Sequence, residues 1–143
     1  MNSSQYAIFV PVLVHMTLIM ALYFSLGVSK VRALKRKQVD MQRRALHADA
    51  WPENVQKINN NLLNQFQLPV LFYVLSLMLF VLQATGPLAL GAAWVFVLTR
   101  LAHSWVHTHG NVVEIRFALF TAGLVSVIFM LGVAAGAVAA YLA

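Results

Sequence analysis

Apolar residues run along this chain in four long stretches, and the polar residues gather between and near the ends of those stretches. About 20 helical residues cross a hydrocarbon core of ~30 Å. The pattern predicts spans over about 6–29, 60–85, 88–106 and 113–142, with a polar loop over 30–56. Backbone groups in lipid must be satisfied internally, and long unbroken apolar runs do this as helices rather than barrel strands. Gly86-Pro87 marks one turn and Gly110 another. Short connections make successive spans antiparallel neighbours. The expected fold is an all-α membrane protein, an up-down four-transmembrane-helix bundle forming a single domain over 1–143.

Composition agrees with that reading. The chain is 61% hydrophobic and 10% charged, where soluble domains carry about 25% charged residues. Little remains for a soluble domain. With no cysteine, disulfides, Cys-ligated zinc, iron–sulfur clusters and a cysteine nucleophile are excluded.

Charge sets the expected orientation. The Lys and Arg number ten: Lys30, Arg32, Lys35, Arg36, Lys37, Arg43, Arg44, Lys57, Arg100 and Arg116. All lie at or towards the side holding the first and third loops. Met1–Gln5, the Gly86-Pro87 turn and the C-terminus carry none. The positive-inside rule then puts both termini outside the cytoplasm. The basic excess is assigned to orientation and to membrane lipids, not to nucleic acid. No Lys or Arg precedes the first apolar stretch, so Tyr6–Ser29 is expected to be a span rather than a cleaved signal peptide. Short length and the lack of a targeting signal lean towards a bacterial inner membrane. Gly132-Val-Ala-Ala-Gly136 is a G-x-x-x-G, suited either to packing within one chain or to an oligomer contact.

Ionisable and amide side chains inside a membrane face protein or a wet cavity. In the second span Lys57, Asn60, Asn61, Asn64 and Gln67 recur at three- and four-residue steps, mostly on one helical face. Pro69 frees a carbonyl there and kinks the helix. In the third, Arg100, His103 and His107 share a face. In the fourth, Arg116 sits near Glu114. The plain alternatives are interhelical hydrogen bonds for the amides and snorkelling for the arginines. Together the three sets predict a cationic pocket among spans two, three and four, suited to a small anion. A metal site is not expected. His103 and His107 are spaced to share an ion, but nearby cations repel it and no carboxylate is well placed. A small proton-coupled exporter would want a carboxylate in the first span, which has none.

The residues then resemble a family. Tyr23-Phe24-Ser25-Leu26 followed by Arg32 resembles a first-helix end and loop arginine. Asn64-Gln65-Phe66-Gln67-Leu68-Pro69-Val70-Leu71-Phe72 resembles N-x-x-E-x-x-P-x-F. Arg100-Leu-Ala-His103-Ser-Trp-Val-His107 resembles R-x-x-Y-x-x-x-Y. Arg116 falls near a fourth-helix arginine. In this order they are similar to the MAPEG family, membrane-associated proteins in eicosanoid and glutathione metabolism. The resemblance implies a homotrimer binding glutathione between subunits. Arg32, Asn64 and Gln67 would hold the peptide, with Lys57 and Asn60 near it. Arg100, His103 and His107 would line the cleft. Arg116 would stabilise the thiolate that attacks a lipophilic electrophile or hydroperoxide, as in a glutathione transferase or peroxidase. Departures stand at Gln67 for a carboxylate, Asn60 for an arginine, two histidines for tyrosines, and a proline displaced by one residue. They keep a second reading open: a non-catalytic MAPEG-like protein that binds lipid or a small anion, or scaffolds a partner.

Overall fold

The computed structural model describes residues 3–143, and these are helical with no strand among them. Of the N-terminal segment discussed above, Met1 and Asn2 lie outside the described residues. A 3-10 turn over Ser3–Ile8 leads into α1 (Phe9–Lys35). The helix outlasts the apolar stretch and brings Arg32 and Lys35 into its last turn, where cations meet the negative end of the helix dipole. Lys37, at φ 54°, ends α1. Its N–H reaches the Leu34 carbonyl at 3.0 Å while that of Gln38 reaches Ala33 at 3.0 Å, the paired bonds of a Schellman stop.

The basic loop has structure of its own. The Asp40 N–H donates to the Ala50 carbonyl at 3.0 Å, closing its base. Asp40 Oδ1 accepts the backbone N–H groups of Gln42 and Arg43 at 3.0 and 3.3 Å. Trp51 Nε1 donates to the Arg44 carbonyl at 3.2 Å.

The second span is not the continuous, kinked helix that the sequence suggests. It begins at Glu53 and is interrupted: α2 (Glu53–Asn64) stops, and α3 (Leu68–Val81) starts afresh. Gln67 between them has φ −100° and ψ −99°, which is not helical. Pro69 has no N–H for the Gln65 carbonyl and its ring crowds it. It sits instead in the first turn of α3, where a missing N–H costs nothing. α4 (Pro87–Thr108) opens with Gly86-Pro87, and α5 (Val113–Leu142) follows.

Each of the four spans is long and apolar enough to cross a membrane. α4 and α5 pack along their lengths, α2 touches α1 and α4, and α3 touches α5. A Cβ on Gly123 would lie 3.1 Å from Thr99 Oγ1, so the α4–α5 approach depends on its absence. Gly132 and Gly136 meet nothing within 4 Å. Their G-x-x-x-G therefore does not serve packing inside this chain.

Two apolar clusters form the core. One gathers Val12, Leu68, Phe72, Phe96, Val97 and Met130, with Phe72 and Phe96 stacked at 4.4 Å. The other gathers Ile19, Leu22, Leu26, Val55 and Leu62. Along α1 and along the second span, a polar residue separates the two clusters: His15 in one, Gln65 in the other.

Candidate functional site

The break in the second span frees helix-end carbonyls inside the bundle, and such groups need donors. Arg100 of α4 supplies them. Its Nη2 donates to the Asn64 carbonyl at 3.0 Å, at the negative end of α2. Its Nε and Nη2 both reach Gln65 Oε1 at 3.3 Å. Arg100 is only 1% exposed, so it does not snorkel.

Gln65 is the hub of this layer. Its Oε1 also accepts from His15 Nε2 at 3.1 Å. An amide oxygen only accepts, so Nε2 carries the proton, and in the neutral ring Nδ1 accepts the Tyr73 hydroxyl at 2.5 Å. Gln65 Nε2 donates to Asn61 Oδ1 at 3.0 Å and to Ser104 Oγ at 3.1 Å. Ser104 Oγ in turn donates to Asn61 Oδ1 at 3.2 Å. Spans one, two and three are thereby joined through one side chain.

Beside this layer lies a cleft of about 250 Å³ lined by Asn64, His103, Val113, Arg116, Phe117 and Phe120. Its polar groups are aimed but incompletely paired. His103 Nδ1 donates to the Arg116 carbonyl at 3.1 Å, which leaves Nε2 as the lone-pair nitrogen of the neutral ring. Arg116 Nη1 donates to Asn111 Oδ1 at 2.8 Å, so Asn111, not Glu114, is its partner. Asn61 Nδ2, Arg100 Nη1, His103 Nε2, His107 Nδ1 and Arg116 Nε are buried without a hydrogen-bond partner. Buried polar atoms in this state are uncommon and ask for a ligand or an ordered water. All five are nitrogens, the amide and guanidinium atoms being donors and His103 Nε2 an acceptor, and no carboxylate lines the cleft among the described residues. The arrangement suits a molecule rich in acceptors.

The sequence-derived residues divide. Asn64, His103 and Arg116 line the cleft together. Arg100 and His107 are buried, with the rings of His103 and His107 5.9 Å apart. Lys57 pairs with Glu53 at 2.7 Å on the helix surface. Asn60 and Gln67 are exposed at the surface of this chain. Arg32 is exposed and lies beside Phe24, Val28 and Lys35 of its own helix. Gln65, His15, Tyr73 and Ser104 are the residues that spacing did not bring forward. The signal for Gln65 was present in the four-residue step from Asn61, which continues the buried side of the span.

The model of the MAPEG family matches residues 12–136. No curated protein and no solved structure gives a significant match.

Proposed function

Because the chain belongs to the MAPEG family, membrane-associated proteins of eicosanoid and glutathione metabolism, and is a multi-pass integral membrane protein, we propose that it is a glutathione-dependent transferase or peroxidase. The observation that carries this reading is a cleft lined by His103 and Arg116, each with a buried nitrogen that lacks a partner, in a bundle that also buries unpartnered nitrogens of Asn61, Arg100 and His107. Glutathione brings two carboxylates to the guanidinium donors of this region, and arginine holds a carboxylate with two parallel bonds.

The chain's own residues then have distinct tasks. Arg100 lends positive charge from behind the cleft, fixed by Gln65 and the Asn64 carbonyl. The thiol proton is released to water, with the neutral His103 Nε2 beside it as a hydrogen-bond acceptor. Arg116 stabilises the resulting thiolate electrostatically, in a site where little water competes. The thiolate sulfur then donates its electron pair to the electrophilic carbon of a lipophilic substrate entering along Phe117 and Phe120, and the bond from that carbon to its leaving group, the halide of an aryl halide, breaks with halide released to solvent.

We place the complete site in a homotrimer. A cleft of about 250 Å³ falls below the ~300–1,000 Å³ of ordinary small-molecule sites, so one chain supplies part of a tripeptide's surroundings. Arg32, Asn60 and Gln67 lie at the surface of a single chain and would join the cleft of a neighbour. The orientation proposed has both termini outside the cytoplasm of a bacterial inner membrane.

The decisive experiment combines binding with turnover. Glutathione should raise the melting temperature of the detergent-solubilised protein, by linkage to the folded state. Arg116→Ala should lower conjugation to a model aryl halide by about 10²–10³-fold, the scale of losing one preorganised charge stabiliser, without lowering the melting temperature. Unchanged turnover would remove Arg116 from catalysis. That no carboxylate lines the cleft among the described residues favours a second reading, a non-catalytic binder of a simpler anion. Stabilisation by small dicarboxylates but not by glutathione would select it.

A further inference from the structure

We propose that the basic loop carries a second anion site, distinct from the cleft, which holds the phosphate of an anionic phospholipid headgroup. A pocket of about 180 Å³ lies where the loop folds over the end of α1 and the start of α2. Lys30, Arg44 and His47 line it with Asn59, Trp51 and Gln56, whose Nε2 donates to the Trp51 carbonyl at 2.7 Å. It shares no lining residue with the cleft, and its occupancy does not depend on thiol chemistry.

The pocket is unbalanced in charge and held in shape. Of the two acids that flank Trp51 in the chain, Glu53 pairs with Lys57 and Asp49 is taken by Arg43, each at 2.7 Å. The bond from Arg43 keeps the Asp49 carboxyl below its ordinary value. Lys30 and Arg44 have no carboxylate partner among the described residues. Lys30 Nζ instead stands 5.0 Å from the centre of the Trp51 ring. The bond from Trp51 Nε1 to the Arg44 carbonyl at 3.2 Å fixes the loop there, so the basic groups converge without the cost of ordering a slack segment.

Two further side chains select a lipid over free phosphate. Leu46 is 90% exposed and Met41 60% exposed in this otherwise polar loop. In the chain they flank Arg43 and Arg44, and Leu46 lines the pocket together with Trp51. Basic groups with neighbouring large apolar ones belong at the boundary of headgroups and acyl chains, where tryptophan also concentrates. The loop lies against the membrane surface, with its apolar tips dipped and its cations on phosphate.

The test uses the full-length chain in neutral detergent, its melting temperature read against short-chain phosphatidylglycerol, phosphatidylcholine and inorganic phosphate. Phosphatidylglycerol should stabilise it saturably, and phosphatidylcholine should not. Lys30→Gln with Arg44→Gln should raise the half-saturating concentration about tenfold, leaving the lipid-free melting temperature in place. Lys35→Gln with Lys37→Gln removes the same charge outside the pocket and should shift it less than about twofold. Leu46→Ser should weaken the lipid response alone. Equal weakening by both double variants would overturn the pocket in favour of diffuse surface charge. No response to phosphatidylglycerol would overturn the lipid assignment, and a response to inorganic phosphate alone would do the same.

Discussion

A leucine at position 65 would strand an arginine in the middle of the bundle. Gln65 Oε1 takes Nε and Nη2 of Arg100, and removing one partner of a buried charged network costs about 3–5 kcal/mol. Gln65→Leu should therefore show that loss in detergent unfolding, while Asn60→Ala, at the surface, stays within ~0.5 kcal/mol. Gln65→Glu separates stability from ligand demand. It offers Arg100 a carboxylate, so the fold should persist while affinity for an anion in the cleft falls about tenfold, a change of ~1.4 kcal/mol, measurable by calorimetry. At this scale the sequence was half legible. The spacing of Arg100, His103 and His107 put them on one face, and all three are buried together. The inward turn of Gln65 was hidden, because amides at Asn60, Asn64 and Gln67 offered a second face of similar polarity, and hydropathy does not rank two polar stripes.

At the scale of elements, glycine content was legible but glycine use was not. Gly123, Gly132 and Gly136 all lie on α5, yet only Gly123 meets a neighbour, Thr99 Oγ1 at 3.1 Å from an added Cβ. Gly123→Leu should push α4 from α5 and cost about 1–3 kcal/mol. Gly132→Leu should not lower the chain's own unfolding free energy, since nothing lies within 4 Å and leucine is the better helix former. Equal losses from the two would refute this account of α4–α5 packing. The helical spans themselves follow from apolar length, which the bilayer fixes physically. The interruption at 65–67 did not follow from length. Pro69 announced a local fault, but whether a proline kinks or ends a helix depends on what receives the freed carbonyls, and here the receiver is thirty-odd residues away in α4, Arg100 on Asn64.

For the molecule as a whole, the asymmetry of charge is the feature that meets the cell. The ten Lys and Arg lie towards one side, and short basic loops stay in the cytoplasm. A C-terminal alkaline phosphatase fusion should therefore be active and a C-terminal green fluorescent fusion dark; the opposite pattern would invert the proposed orientation. The same molecule carries its arginine in α4, in the least apolar of its four spans. A segment of that kind enters lipid poorly by itself, because a central arginine opposes insertion by about 2.5–3.5 kcal/mol. The acceptors that shelter it, Gln65 and the end of α2, are made earlier in the chain. Biogenesis thus acquires a sequence of events: the first two spans act as an assembled berth, and the third crosses because that berth already awaits its guanidinium.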